Sequence, residues 1–487
     1  MARAGSIGRD GFIGKFDLWT VEQAEAGARV LAQAHELGLE TIRLSFADQH
    51  GILRGKTLMI GELELALSSG CSMTTSLLLK DTSHRTVFPI WTAGAGVGAP
   101  ELTGAGDFLM VPDPATFRVL PWSPGTGWML CDMYYPDGRL VPYSSRAICR
   151  DAVNRLAAAG YDFLSGIEIE FHLFELGDRK LRPEQSGMPG DPPDVSPLAH
   201  GFQYLAEFRM DEVEPVIDLI RRDITAMGLP LRTVEMEFGP SQVEFTFAPL
   251  PGIESADLMV LFRSATKQIC RRHGYHATFM CRPGLANFFS SGWHLHQSLL
   301  DSGTGANAFM PDREGALVSE VGEAYVAGLL EHAAAACVFT TPTINGYKRY
   351  RPQSLAPDRI LWAKDNRGAM IRALGGPGDA GSRVENRVGE SAANPHLYLA
   401  SQIIAGLDGI ERGLAPPPLA DTPYTADATM LPRSLMDAMV ALRESTMFRR
   451  ALGNEFVDYI LAIKEGEVSR YLTEVTDWEH REYFEIF

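Results

Sequence analysis

Four stretches hold the residues whose types and spacing suit chemistry. In Gly166-Ile167-Glu168-Ile169-Glu170-Phe171, carboxylates alternate with apolar residues. Side chains on a strand repeat every two residues, so Glu168 and Glu170 share one face and Ile167, Ile169 and Phe171 the other. Buried carboxylates need a positive partner, and without one this pair is an acidic solvent face. A second pair flanks Pro240-Ser241. A hairpin centred there sets Glu237 and Glu244 symmetrically about the turn and brings them together. They then either share a bridging cation or remain flexible surface acids. In Gly292-Trp293-His294-Leu295-His296-Gln297-Ser298, the residues His294, His296 and Ser298 share one face. That spacing can ligate zinc, and it equally suits two half-exposed histidines. The fourth group is basic: Arg349, Arg367, Arg372, Arg383 and Arg387, with Glu385 between the last two. A carboxylate between arginines is often a structural ion pair, but several planar forks also suit the clamping of phosphate and carboxylate oxygens.

Taken together, the glutamates with one or two imidazoles favour Mg2+ or Mn2+ over Zn2+. Divalent ions and arginines are the parts that phosphoryl transfer from a nucleoside triphosphate needs. The residues alone therefore point to an Mg-ATP enzyme built on strands.

These residues must be positioned by a chain of 487 residues, long enough for two or more domains. Residues 1–20 read as a loosely ordered extension. Helical apolar spacing runs over 21–37 and stops at Gly38. A strand over 41–46 opens a β-rich region, 40–135. Ser144-Ser145 opens a helix that Gly160 closes, and 177–200 reads as a long loop. Beyond it come a helix over 211–227, a hairpin over 231–247, a helix over 253–274, strands over 276–300, a helix over 315–337 and a helical tail from 433. This gives three parts: an extension and helix (1–39), a β-rich domain (40–135) and a catalytic domain (136–487). Gly94-Ala95-Gly96-Val97-Gly98 lacks the spacing and following helix of a nucleotide loop.

The net charge of −17 argues against a nucleic-acid or anionic-membrane partner. The N-terminus has no apolar signal-peptide core, no apolar run spans a bilayer, and the six cysteines are scattered. A cytoplasmic, reduced protein is expected.

The order of the motifs resembles the glutamine synthetase family from about residue 40 to 487. The resemblance implies an α+β fold: a β-grasp-like N-terminal domain and a catalytic domain whose curved antiparallel sheet, flanked by helices, lines a bifunnel. It implies a ring-shaped homo-oligomer, usually a dodecamer, with active sites between neighbouring subunits. One metal would be held by Glu170, Glu237 and Glu244, the other by Glu168, His294 and Glu385. His296, Ser298 and Arg383 match ATP-contacting positions, and Arg367 and Arg372 the phosphate-binding arginines. Arg349 and Arg387 match those that hold glutamate and the transferring phosphoryl group. Asp48 matches an aspartate that a neighbouring subunit contributes to the ammonium site.

Two departures bear on the substrate. Ammonium-using members carry a loop glutamate just before Ala-Pro that binds ammonium and removes a proton; here Leu355 precedes Ala356-Pro357. The Asn-Gly that holds the glutamate amino group is replaced by Phe289-Ser290, preceded by Phe288. The resemblance then implies an ATP-dependent ligase that joins glutamate's γ-carboxylate to an apolar amine, an arylamine or an alkylamine, through γ-glutamyl phosphate. γ-Glutamylpolyamine synthesis and ordinary glutamine synthesis are the alternatives within the family. A zinc-dependent hydrolase and a catalytically silent homologue are the alternatives outside that chemistry.

Overall fold

The computed structural model describes residues 11–487 apart from Val97, so residues 1–10 of the expected extension, and Val97 in the Gly94–Gly98 run, lie outside it. The first sheet comprises β1 (Thr41–Ala47), β2 (Leu53–Met59), β3 (Cys71–Thr74), β4 (Asp107–Pro112), β5 (Arg118–Val119) and β6 (Thr126–Tyr134). Its order is β2-β1-β6-β4-β3, and the central pair β1 and β6 runs parallel, as a β-grasp arrangement requires. Residues 11–20 are tied down instead of loosely ordered. Ile13 is buried, and the Trp19 indole N–H donates to the Pro112 carbonyl at 3.0 Å.

The second sheet holds ten strands: β7 (Tyr161–Leu176), β8 (Val195–Pro197), β9 (Leu231–Met236), β10 (Gln242–Phe247), β11 (Leu250–Pro251), β12 (Tyr275–Thr278), β13 (Trp293–Asp301), β14 (Trp362–Lys364), β15 (Ile371–Leu374) and β16 (Arg383–Asn386). Its main order is β14-β15-β16-β13-β7-β10-β9, antiparallel except between β14 and β15. The fold class is α+β, as expected.

Ile167, Ile169 and Phe171 on β7 are buried, and Phe171 meets Phe245 and Phe262 at ring-centroid distances of 5.4 and 5.9 Å. Phe262 belongs to the helix Glu254–His273, so this is the helix-covered face. Burying each such side chain is worth about 1.5–3 kcal/mol. It pins the strand's register and commits the alternate residues, Glu168 and Glu170, to the open face. Arg146, in the helix Ser145–Ala158, ties the first sheet to the helix Glu254–His273 that covers the second. Its buried guanidinium reaches Asp113 at 2.6 Å, Asp132 at 3.0 Å and Asp257 at 2.7 Å.

The helix expected over 315–337 is two helices, Glu320–Glu331 and Ala333–Thr340. The break falls at His332, whose ring is held by Asp408 at 2.8 Å. Among the described residues, no helix is long and apolar enough to cross a membrane.

Candidate active site on the central strands

Cross-strand register builds the site in rows. Glu170 lies opposite Glu244 on β10, Glu168 opposite His294 on β13, and His296 opposite Glu385 on β16. The next strand places Arg372 opposite Glu385. Directly opposed side chains sit within reach of one another, so five separate strands deliver one polar face. His294 is the hub. Its Nδ1 lies 3.4 Å from Glu168, 3.8 Å from Glu385 and 3.9 Å from Glu244, while its Nε2 lies 3.7 Å from Glu170. Two trios therefore offer ligand atoms within 4.8 Å of one another: Glu168, His294 and Glu385, and Glu170, Glu244 and His294. A third, Glu331, His332 and Asp408, has its buried Asp408 already paired with Arg412 and Arg450, both at 2.8 Å.

The two ends of this face differ in charge. At one end, burial acts to raise the carboxyls of Glu168 and Glu385, but their cationic neighbours outweigh it. Hydrogen bonds from His294 and His296 hold Glu168 well below the ordinary range, and above all the charge of Arg387 does the same for Glu385. At the other end cations are short. Burial and the charge of Glu170 push Glu237 up to about 8 and Glu244 up to about 10. Burial and the charge of Arg387 lower His294 against the pull of its carboxylate neighbours, which favours a neutral imidazole with a lone pair for a metal.

Arginines frame the face. Arg383 donates from Nε to His296 Nδ1 at 3.1 Å, and Arg372 donates to Glu385 at 3.0 Å. Buried Arg387 pairs with Glu385 and donates to the carbonyls of Arg367 (3.0 Å) and Leu355 (3.3 Å). Arg349 is buried with Nη2 3.4 Å from His294 Nε2. Beside Glu168 opens a cleft of about 560 Å³, lined among others by His296, Ser298, Arg383, Arg232 and Glu235. A more apolar cavity of about 480 Å³ lies on the helix-covered side, between the turn after β1 and the helix Glu254–His273. Its cations are engaged elsewhere: Arg263 with the carbonyls of Gly51, Ser391 and Ala393, and Lys464 with Glu467.

Residues 142–483 match the catalytic domain of glutamine synthetase. The chain belongs to the glutamine synthetase family. It is 47% identical to the γ-glutamylanilide synthase of an Acinetobacter species, across 98% of this chain and 99% of that one. It is 30% identical to the glutamate–isopropylamine ligase of a Pseudomonas species, across 92% and 95% of the two chains. Among solved structures it superposes on ligand-free GmaS with a TM-score of 0.77 and 27% identity, covering 93% of this chain and 99% of that one. The GmaS complex with ADP gives a TM-score of 0.77 at 26% identity.

Not every expected family position lies where the sequence suggests. The hairpin register is shifted: Glu244 faces Glu235, and Met236 faces Val243. The turn occupies the residues between β9 and β10, closed by the Glu237 N–H to the Gln242 carbonyl at 2.9 Å, with Ser241 in a left-handed conformation. Glu237 is thus not opposite Glu244, and its carboxylate stands outside both trios, accepting from the Phe238 N–H at 3.1 Å. Its charge still acts on Glu244. Phe288 is buried against His172 and Phe174, whereas Phe289 is half-exposed. Arg367 is exposed. Asp48 is 1% exposed and spends its carboxylate on its own turn, accepting from the N–H groups of His50 and Ile52 and from Arg54, all at 2.9 Å. Asn394, at the start of the helix Pro395–Arg412, donates to the Asp48 carbonyl at 3.0 Å.

Sequence reading missed Gln242, whose Nε2 donates to Glu170 Oε2 at 2.9 Å and to Ser290 O at 3.2 Å. It also missed Glu235 and Arg232. An amide beside a glutamate pair is a weak signal, and only the register reveals the other two.

The donor set fits divalent cations: hard carboxylate oxygens, one neutral imidazole and, at the Glu170 end, buried carboxyls that lack a cation. Glu168, His294 and Glu385 would hold one ion, and Glu170 and Glu244 with His294 or Glu237 the other. This carries a pH prediction. Unfolded, Glu237 and Glu244 titrate at 4.5; folded, they keep their protons to about 8 and about 10. The folded chain then holds more protons than the unfolded one between those limits, so the stability these two groups contribute is lost as pH rises. The Tm of chelator-treated protein is expected to fall from about pH 6 to 9, and saturating Mg2+ or Mn2+ should flatten the slope. Equal slopes with and without metal would contradict the assignment.

Proposed function

We propose that this chain is an ATP-dependent ligase that joins the γ-carboxylate of glutamate to an apolar, aromatic amine, using Mg2+ or Mn2+. Family membership and the end-to-end similarity to γ-glutamylanilide synthase support the chemistry. The single observation that carries the choice of amine is the loop after Arg349. From Tyr350 to Pro357 it holds no carboxylate. Leu355 is 63% exposed, in a left-handed backbone conformation, with its carbonyl on Arg387. A charged ammonium or polyamine needs a carboxylate there to bind it and take its proton. An arylamine is largely neutral at pH 7 and brings its lone pair ready for attack.

The chain's own residues would work as follows. The cleft lined by His296, Ser298 and Arg383 receives the nucleotide, with Glu168 at its inner edge. Glutamate lies toward Glu170, between Arg349 and Arg387. Glu168, His294 and Glu385, and Glu170 with Glu244, would hold divalent ions that neutralise phosphate charge when bound. The γ-carboxylate oxygen attacks the γ-phosphorus of ATP and ADP leaves, with Arg367 and Arg372 drawing charge off the phosphoryl oxygens. The amine nitrogen then attacks the γ-carbonyl carbon, phosphate leaves, and the amine proton passes to solvent. In keeping with the family, the chain would form a ring-shaped homo-oligomer, a dodecamer, in which the Asp48 of a neighbouring subunit completes the site. The cysteines are free, in keeping with a cytoplasmic setting.

Leu355→Glu tests the reading. It should raise kcat/KM for ammonium by about tenfold or more and lower that for aniline. Wild-type protein that prefers ammonium to every alkyl- or arylamine would overturn the proposal, as would a variant that loses ammonium activity.

A further inference from the structure

Three loops each place one phenylalanine beside the Glu170 end of the site. Phe202, Phe238 and Phe289 meet edge to face, with ring centroids 5.5 Å apart for Phe202 and Phe238, 4.8 Å for Phe238 and Phe289, and 5.8 Å for Phe202 and Phe289. Each keeps 38–39% of its surface exposed. Such aromatic surface normally goes inside, and a cluster of it beside catalytic carboxylates marks a binding surface.

The cluster is built rigidly. The Phe202 N–H donates to the Phe238 carbonyl at 2.8 Å, and Ser241 Oγ accepts from the N–H groups of Leu198 (2.6 Å) and Ala199 (3.0 Å). A Cβ on Gly201 would lie 2.5 Å from Pro240 N, and one on Gly239 would lie 3.1 Å from Phe289 Cβ, so the loops press directly on one another. Phe202 and Ser241 are held at φ of +71° and +52°. Non-glycine residues keep that conformation only where their surroundings enforce it. The cluster is also wired to the carboxylates. The Phe238 N–H donates to Glu237, and Gln242 takes the Gly239 N–H at 2.9 Å while donating to Glu170.

We propose that Phe202, Phe238 and Phe289 form the seat for the aromatic ring of the amine, so that the amine's ring rests on carbon while its nitrogen points toward the glutamate carbonyl. The inference rests on the arylamine reading above. Open faces and edges of three rings offer a fourth ring the tilted contacts that aromatic pairs favour. They offer no hydrogen-bond acceptor to the ammonium and no donor to the α-carboxylate of glutamate, because the three side chains carry no polar atom.

The test is steady-state kinetics of wild type, Phe202→Ala and Phe202→Leu with aniline and with ethylamine, each at saturating ATP and glutamate. Phe202→Ala should raise the KM for aniline about tenfold and lower the aniline-to-ethylamine ratio of kcat/KM by a similar factor, with Phe202→Leu in between. The KM values for ATP and glutamate should stay within about twofold of wild type. An unchanged ratio overturns the seat while leaving the arylamine reading intact. A parallel rise in the KM for glutamate and for both amines also overturns it, since that marks a structural role. Wild type that turns over no arylamine fails the functional reading itself, and the seat falls with it before any variant is made.

Discussion

Glu170→Gln is expected to cut ATP-dependent turnover by about 10³-fold and to leave the fold intact. Glu170 is 8% exposed and accepts from the Gly292 N–H at 3.0 Å and from Gln242 at 2.9 Å. Glutamine keeps an acceptor for these donors but removes the charge that burial leaves short of a cation. That charge is also what repels Glu237 and Glu244. Metal-free Glu170→Gln should therefore melt no lower than metal-free wild type, and its Tm should rise less on adding Mn2+. Turnover kinetics and paired melts with and without chelator measure both halves. Turnover near the wild-type rate would remove Glu170 from the metal assignment.

Arg387→Met is expected to damage both stability and rate. Its guanidinium faces Glu385, which is 0% exposed, and its remaining donors hold the carbonyls of Arg367 and Leu355. Removing one partner of a buried pair costs about 3 kcal/mol, since the other charge stays behind. Arg372, 3.0 Å from Glu385, offsets part of this. Two loops also lose their common anchor, and turnover should fall by about 10²-fold. Arg387→Lys separates the two effects. It restores a charge beside Glu385 and most of the stability, but an ammonium cannot span the carboxylate and both carbonyls, so the rate should not recover. Full recovery of rate by lysine would show that charge alone, and not the fork, is what the site uses. Chemical denaturation and kcat measure the two losses separately.

Much of this site was legible in the chain. The alternation around Glu168 and Glu170, and around His294 and His296, shows which residues share a face, because that depends only on the two-residue repeat of a strand. The donor types point to hard divalent ions and phosphate, because that depends only on ligand chemistry. Leu355 in a loop without carboxylates is likewise readable in one dimension.

Other features needed the third dimension. Whether Glu235 or Glu237 faces Glu244 turns on two residues of loop length, which the flanking sequence does not specify. Phe288 and Phe289 are adjacent and chemically identical, yet one packs against His172 and Phe174 and the other joins Phe202 and Phe238 at the surface. Nothing local distinguishes them, because their partners lie on other strands and loops. Gln242 gains its place only when β10 pairs with β7, and Asp48 is seen to be spent on its own turn only once that turn is folded. The sequence by itself determined which residues can do the chemistry and which face each takes. The tertiary structure decided which of them meet, because cross-strand neighbours are chosen by register and loop packing between segments far apart in the chain.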